Sequence, residues 1–277
     1  MDVKLNGNET LLLEMSESGQ LHVASTLHYN RATLFGDGLF ETMIFSKGKI
    51  RYKKSHLSRI AKGCKSLQLK LDNFLILDQC ETFINTSFPH LKEIRIRWNI
   101  YRDGLGKYTP ETNKVCHQFI LQIYHYTPPI LKQAYINQSL NVPSLPWSNC
   151  KTLNALVYVM ANLDRQKKKF DEVILLNNEG NICEAGAANL FWIKDSVYYT
   201  PSLRSNCIAG IGRKAIIKEL KSRNIELVKG EFKPKEFLAA DQVFTSNVTG
   251  LHYISQIDMR EFDTTPIPFL EQLFYDK

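Results

Sequence analysis

A chain of 277 residues, 44% hydrophobic and 23% charged, can bury a real core and has the composition of a globular protein, which excludes long-range disorder and low-complexity architectures. Six cysteines scattered without a CxxC pair exclude a disulfide framework and a zinc cluster; the N-terminal stretch lacks the apolar core of a secretory signal and no apolar run could span a bilayer, so a soluble, cytoplasmic protein without a metal or membrane partner is expected. The net charge of +7 does not imply a nucleic-acid partner, because its densest run, Lys167 to Lys169, falls at a predicted helix end and lacks interleaved aromatics.

In chain order, Leu39 to Phe45, a turn at 46–49 and Ile50 to Lys53 predict a hairpin. A helix follows from about Ser55, with Leu57, Ile60, Ala61, Cys64 and Leu67 on one stripe, and a second covers Phe74 to Ile84. Glu93 to Tyr101 alternates, with Ile94, Ile96, Trp98 and Ile100 facing one way and Arg95, Arg97, Asn99 and Tyr101 the other. The polar, glycine- and proline-bearing segment near 102–114 reads as an interdomain linker, dividing the chain into domains at 1–114 and 115–277. Beyond it, His117 to Tyr126 and Ala134 to Val142 read as strands. Thr152 to Lys168 reads as a helix with Leu153, Leu156, Val157, Met160 and Leu163 as its buried stripe and Lys151 at its start. A meander of short strands follows at Glu172 to Leu176, Asn181 to Glu184, Asn189 to Ile193 and Val197 to Thr200. A helix at Gly210 to Ser222 and a strand at Gln242 to Ser246 come next, and no repeat of fixed period is present.

The richest stretch runs from Lys151 to Arg213, with one lysine, one glutamate and a glycine-flanked helix start. An amine for an aldehyde, a carboxylate for a ring nitrogen and backbone donors for a phosphate are what pyridoxal phosphate needs from a protein. Each residue also has an ordinary alternative. Lys151 reads as a solvated lysine, although a cation at a helix start is mildly unfavourable, and Glu184 as a polar residue at a strand edge. The small residues Ala185 to Ala188 leave room for a planar ring and are equally at home in a tight turn. Gly210, Gly212 and Ala215 also spell a dinucleotide fingerprint. That reading fails because the preceding SLRSNCIA is polar and loop-like rather than a strand.

The segments RATLFGDGLFET at 31–42, HLSR at 56–59, YRDGLGKY at 101–108, KTLN at 151–154, EAGAANLFW at 184–192, GIGR at 210–213 and TSN at 245–247 together resemble the class IV aminotransferase family, the fold type IV enzymes of pyridoxal phosphate. The resemblance covers almost the whole chain. It implies an α+β, two-domain fold: a small N-terminal α/β domain and a larger C-terminal β-rich pseudobarrel with flanking helices, with the cofactor between them, in a homodimer. It also implies residue roles. Lys151 would hold the cofactor and then shuttle protons, Glu184 would pair with the ring nitrogen, and Asn189 would buttress that turn. Arg59 would grip the phosphate, with Gly210, Ile211 and Gly212 at a helix start and Ser246, Asn247 and Val248 closing the cradle. Where many relatives carry a hydroxyl residue in the GI-T-R motif, this chain has Gly212.

Arg102 and Tyr108 match positions that in relatives face the substrate, and Arg97 is the other candidate for its carboxylate. Strand alternation sets Arg97 and Arg102 on opposite faces. Outside this context Arg59 reads as an exposed helix arginine and Arg102 as a solvated one. RATLFGDGLFET and EAGAANLFW look closer to aminodeoxychorismate lyases than to branched-chain enzymes, which implies release of p-aminobenzoate and pyruvate from an amino substrate, for folate synthesis. An aminotransferase for branched-chain or D-amino acids is the alternative, kept open by Glu41, and a basic non-catalytic binding module is more remote.

Overall fold

Period-2 alternation builds the first sheet. In the computed structural model, which describes residues 10–16, 19–23, 30–104, 106–125 and 131–274, the chain divides into two units. The first holds the described residues before 127 together with Cys150–Asn154. Its elements are β1 (Thr10–Met15), β2 (Leu21–Val23), α1 (Arg31–Phe35), β3 (Gly38–Ser46), β4 (Lys49–Ile50), α2 (Lys53–Ser66), α3 (Ile76–Ser87), β5 (Glu93–Arg102) and β6 (Val115–Ile123). The strands form one antiparallel sheet of order β2-β1-β6-β5-β3-β4. One face sends Leu39, Met43, Ile96, Trp98, Ile100 and Phe119 into a core with Ile60 and Cys64 of α2 and Ile76, Cys80 and Ile84 of α3. Trp98 and Phe119 stack there with ring centroids 5.7 Å apart. Gly63 allows the close approach of α2, since a Cβ there would come within 2.7 Å of Leu39 Cδ1. Ala61, expected on the buried stripe of α2, is exposed, and His56 and Gly63 are buried in that helix instead.

The expected linker is a correction. Residues 103–114 join β5 to β6, which pair from Ile94↔Ile123 to Arg102↔Val115, so the segment is a connection inside the first unit and the 114/115 boundary does not hold. Glycine, proline and polar residues mark exposed chain, and exposure does not distinguish a hairpin connection from a domain boundary. Tyr126, expected at the end of that strand, lies outside the described residues.

Lys151 also differs from expectation. It does not start a helix: the amide of Phe40 donates to Lys151 O at 2.8 Å, the amide of Leu153 donates to Gly38 O at 2.9 Å, and Thr152 bridges Leu39 antiparallel. The segment pairs with the N-terminal half of β3, which β4 leaves open.

The second unit contains β7 (Leu131–Val142), α4 (Leu156–Lys168), β8 (Glu172–Asn177), β9 (Ile182–Ala185), β10 (Asn189–Lys194), β11 (Val197–Pro201), α5 (Ile211–Ser222), β12 (Leu227–Gly230), α6 (Pro234–Leu238), β13 (Gln242–Asn247), β14 (Gly250–Ile257), β15 (Arg260–Glu261) and α7 (Pro268–Glu271). Its mixed sheet has the order β12-β11-β10-β13-β14-β7-β8-β9, with β15 on β14. The last strand of that path, β9, turns through residues 186–188 into β10, so the sheet curls around Ile136, Ile174, Ile182, Leu190, Trp192, Val243 and Ile254. Outside the curl, Ile216 and Leu220 of α5 and Leu270 of α7 cover Phe191, Phe244 and Tyr253. Ala161 of α4 joins Tyr135, Val173, Leu175 and Cys183.

The expected strands of the meander are all present, and β12, α6 and β14 add to them. The expected buried stripe of α4 is not buried. Among the residues of that helix only Ala161 is buried, while Leu156, Val159, Met160 and Leu163 are 64%, 52%, 46% and 52% exposed. Periodicity shows that a helix has an apolar face; it does not show what covers the face. Among the described residues no helix is long and apolar enough to cross a membrane, and no group of His, Cys, Asp or Glu could hold a metal ion.

Candidate active site

In the first unit, neighbouring residues of β3 serve opposite faces of the sheet. Phe40 points away from the helices, with Lys151 Nζ 4.1 Å and Arg97 Cζ 3.9 Å from its ring centroid. Arg97 Nε donates to Asn99 Oδ1 at 2.9 Å, Asn99 Nδ2 donates to Gln118 Oε1 at 3.0 Å, and Arg95 Nη1 donates to Gln122 Oε1 at 2.7 Å. The hydrogen-bond partners of both guanidiniums are therefore neutral. Burial pulls the pKa of each below its ordinary value, and the charge of Arg95 adds to the effect on Arg97. Among the described residues the carboxylate of this network is that of Glu14, which accepts from Gln118 Nε2 at 3.4 Å. The two half-buried cations, each bonded to a neutral amide, suit an anionic ligand.

Glu41 points the other way and is wholly buried. Arg59 grips it with two bonds, Nε to Oε1 at 2.7 Å and Nη2 to Oε2 at 2.5 Å, and His56 Nδ1 lies 2.6 Å from Oε2. Burial pushes the Glu41 carboxyl up, but Arg59 and the bonds from His56 and Arg59 outweigh it and hold the group below its ordinary value. Arg59 is thus a fixed member of an ionic group, with its side chain 13% exposed. His56 Nε2 is buried without a hydrogen-bond partner.

Arg102, expected to face the substrate, is held by groups of the protein itself. Its Nε donates to Asp37 Oδ2 at 3.0 Å, Nη2 to Leu67 O at 2.8 Å, and Nη1 to Gln68 O at 3.4 Å and to Asn113 Oδ1. Arg31 Nε reaches the same Asp37 oxygen at 2.8 Å. Those bonds tie the guanidinium to the protein and hold the connection after β5 against the end of α2. Tyr108 is 92% exposed, with Phe35 as its described ring partner at 5.8 Å.

In the second unit, Glu184 on β9 is buried and its carboxylate is surrounded by donors. Tyr158 Oη donates to Oε1 at 2.5 Å; the Ile208 amide and Asn189 Nδ2 reach Oε2 at 3.1 and 3.4 Å. Asn189 Nδ2 also donates to Ile208 O at 2.8 Å. Gly210 caps α5, and a Cβ there would fall 1.9 Å from Asn189 Oδ1. At Gly212 a Cβ would come within 2.6 Å of both Asn247 O and Ser246 Oγ. The departure from a hydroxyl residue at that position therefore coincides with a close approach of the end of β13. Ser246 Oγ is buried without a partner, as is Nε of Arg213, whose Nη2 donates to Pro201 O at 2.8 Å. Asn247 Oδ1 accepts from Thr249 N and Oγ1 at 2.8 and 2.6 Å, so that side chain shapes the turn in which Val248 lies.

The structure thus groups Lys151 with Arg97, and separately Glu184 and Asn189 with Gly210, Ile211, Gly212 and Ser246. Phe40, Arg95, His56 and Tyr158 were missed from the sequence. Arg95 carried a signal, since alternation puts it on the face of Arg97, and Phe40 and His56 lie inside RATLFGDGLFET and HLSR.

Residues 38–257 match the model of the family described as Amino-transferase class IV. A Methanocaldococcus jannaschii protein, provisionally named a branched-chain-amino-acid aminotransferase, is 27% identical over 84% of this chain and 82% of its own. The aminodeoxychorismate lyase of Vibrio harveyi is 24% identical over 84% of this chain and 87% of its own. An aminotransferase from Brucella abortus, solved bound to the cofactor PLP, shares the fold, with a TM-score of 0.80 at 18% identity over 95% of this chain and 98% of that one. With its α+β architecture and a family match over most of its length, the chain belongs to the class IV aminotransferases.

Proposed function

We propose that the protein uses pyridoxal phosphate and, within its family, acts as a 4-amino-4-deoxychorismate lyase that releases p-aminobenzoate and pyruvate. The observation that carries the choice of substrate is the pair Arg95 and Arg97, two guanidiniums with neutral hydrogen-bond partners on the face that bears Lys151. Aminodeoxychorismate has two carboxylates, and two such cations match them.

The residues present fit the cofactor. Lys151 offers an amine and Glu184 a buried carboxylate, and Ser246 Oγ, buried without a partner, borders the space that a Cβ at Gly212 would fill. The backbone N–H groups of Ile211 and Gly212 open α5, where the helix dipole favours a phosphate. When bound, pyridoxal phosphate supplies an aldehyde for the substrate amine and a ring that withdraws electrons from the carbon to be deprotonated. Lys151 Nζ takes the proton from the substrate carbon that carries the amine. The C–O bond on the adjacent carbon would then break, its electron pair leaving with enolpyruvate, which takes up a proton and tautomerises to pyruvate while the substrate's own ring becomes aromatic; Arg97 and Arg95 would hold the carboxylates meanwhile. Glu184 keeps a negative charge at the ring nitrogen.

The second reading, an aminotransferase, is favoured by the relative at 27% identity. Purified, cofactor-loaded protein given aminodeoxychorismate and no keto acid distinguishes them. Repeated turnover to p-aminobenzoate and pyruvate is the expected result; no product from protein with an intact visible cofactor band overturns the lyase and leaves the aminotransferase.

The same reading makes the protein a cytoplasmic homodimer serving folate synthesis. Leu156, Val159, Met160 and Leu163 present on α4 an exposed apolar stripe of the kind that association covers. A monomer by sedimentation at micromolar concentration would overturn the assembly.

A further inference from the structure

We infer that Tyr158 is a positioning residue, which holds the Glu184 carboxylate in one orientation and in its charged form so that the cofactor's ring nitrogen keeps its proton. The inference rests on the cofactor reading above and adds to it a residue that acts through Glu184.

The two carboxylate oxygens are held differently. Oε2 receives the backbone amide of Ile208 at 3.1 Å and Asn189 Nδ2 at 3.4 Å, both from the loop and strand beside it. Oε1 receives the phenol of Tyr158 at 2.5 Å, a length characteristic of a charge-assisted O–H···O bond and shorter than either bond to the other oxygen. Rotating the carboxylate would break bonds at both ends, so its plane is fixed from α4 on one side and from residues 189 and 208 on the other.

Tyr158 is itself anchored. Its carbonyl accepts Asn162 Nδ2 at 2.9 Å, the same amide reaches Gly186 O at 3.1 Å, and the ring packs on the cluster that contains Tyr135, Val173, Cys183 and Cys207. Burial first, and then the charge of Glu184, raise the phenol's pKa far above its ordinary value, so the hydroxyl remains a donor throughout the working pH range.

The chemical consequence concerns one proton. Ring nitrogen and Glu184 compete for it, and hydrogen bonds donated to the carboxylate favour its charged form. With the Tyr158 hydroxyl in place the proton stays on the ring nitrogen, and the ring withdraws electrons most strongly. Without that hydroxyl the carboxylate becomes more basic and draws the proton towards itself. Tyr158 keeps its own proton throughout and acts only as a donor.

The test is Tyr158→Phe loaded with cofactor labelled with 15N in the ring, alongside the unmodified protein. In the unmodified protein the ring 15N resonance is expected at the position of a protonated nitrogen. In Tyr158→Phe it is expected to move towards the unprotonated position, while kcat falls on the order of tenfold, equivalent to about one pKa unit, and KM stays within about twofold. An unchanged 15N shift in a folded, loaded Tyr158→Phe overturns the inference and leaves the cofactor reading standing. Failure of the unmodified protein to bind the cofactor overturns both. Replacing Tyr158 by 3-fluorotyrosine, which keeps the ring and strengthens the donor, covers the case in which Tyr158→Phe does not fold. The resonance should then hold at the protonated position, and a move towards the unprotonated one overturns the inference.

Discussion

The two faces of the first unit's sheet treat charge in opposite ways. On the helix side Glu41 is wholly buried, but Arg59 and His56 bring three bonds to it and its charge is balanced within the protein. On the other side Arg95 and Arg97 are partly desolvated, and among the described residues their hydrogen bonds go to the neutral Gln122 and Asn99. An ion cluster balanced internally holds the fold together. A cation pair left with neutral partners carries a desolvation cost that an anionic ligand would offset, which is why the pair is proposed for function. The contrast recurs along β5 itself, where Arg102 is bound to Asp37, Leu67, Gln68 and Asn113 while Arg97 lies over a phenyl ring.

Substitutions on each face put the contrast at risk. The largest effect is expected at Lys151: Lys151→Ala should lower kcat by up to about 10^4-fold with an unchanged melting temperature. Borohydride reduction and peptide mapping of the unsubstituted protein should place the cofactor adduct on Lys151, and an adduct elsewhere removes the site. Next is Glu41→Ala, which strands Arg59 and should cost roughly 3–5 kcal/mol in urea unfolding, the range for breaking a buried ion pair. A loss under about 1 kcal/mol would mean that the helix-side cluster does not hold the fold.

Arg97→Leu should do the reverse. Unfolding stability stays level or rises, because a desolvated charge is gone, while KM for a dianionic substrate rises roughly 10- to 100-fold through the lost charged hydrogen bonds. A destabilised Arg97→Leu with normal KM would erase the distinction between the faces.

The smallest effect concerns pH. His117 is buried beside Trp98, whose Nε1 donates to its Nδ1 at 3.2 Å, and burial, opposed by Asp72, lowers its pKa from 6.5 to about 4. Between those values the unfolded chain binds the proton and the folded protein does not, so stability falls as pH drops through that window. His117→Gln should remove on the order of 1–2 kcal/mol of the loss, read from urea midpoints at several pH values. An identical pH profile in the variant would show that His117 is not held neutral.

Period-2 patterns made β5 and the meander from β8 to β11 legible, because a half-buried strand writes its two faces directly into the residue order. The apolar stripe of α4 was legible as a stripe, but its covering was not, since the same spacing describes a face packed on a sheet and one facing away from it. The segment at 103–114 misled for a related reason: its glycines and proline show that the chain is exposed there, and pairing with β6 decides what the exposure means. Arg97 and Arg102 were correctly assigned to opposite faces. Their fates depend on Asp37 and Gln68, which lie 65 and 34 residues from Arg102 and which no local pattern links to it. Tyr158 stands 26 residues before Glu184 on a helix that reads as apolar, so the bond between them left no trace in the sequence.

The short segment Cys150–Asn154 belongs to the first unit although the residues on both sides of it belong to the second. During synthesis, β3 is made early, but the partners of Phe40 N–H and Gly38 O, Lys151 O and Leu153 N–H, come more than a hundred residues later. Until then that half of β3 is an open sheet edge, available to any other extended chain. A fragment cut after residue 126 would keep the edge open permanently, so truncation would produce a self-associating fragment rather than a working half of the protein.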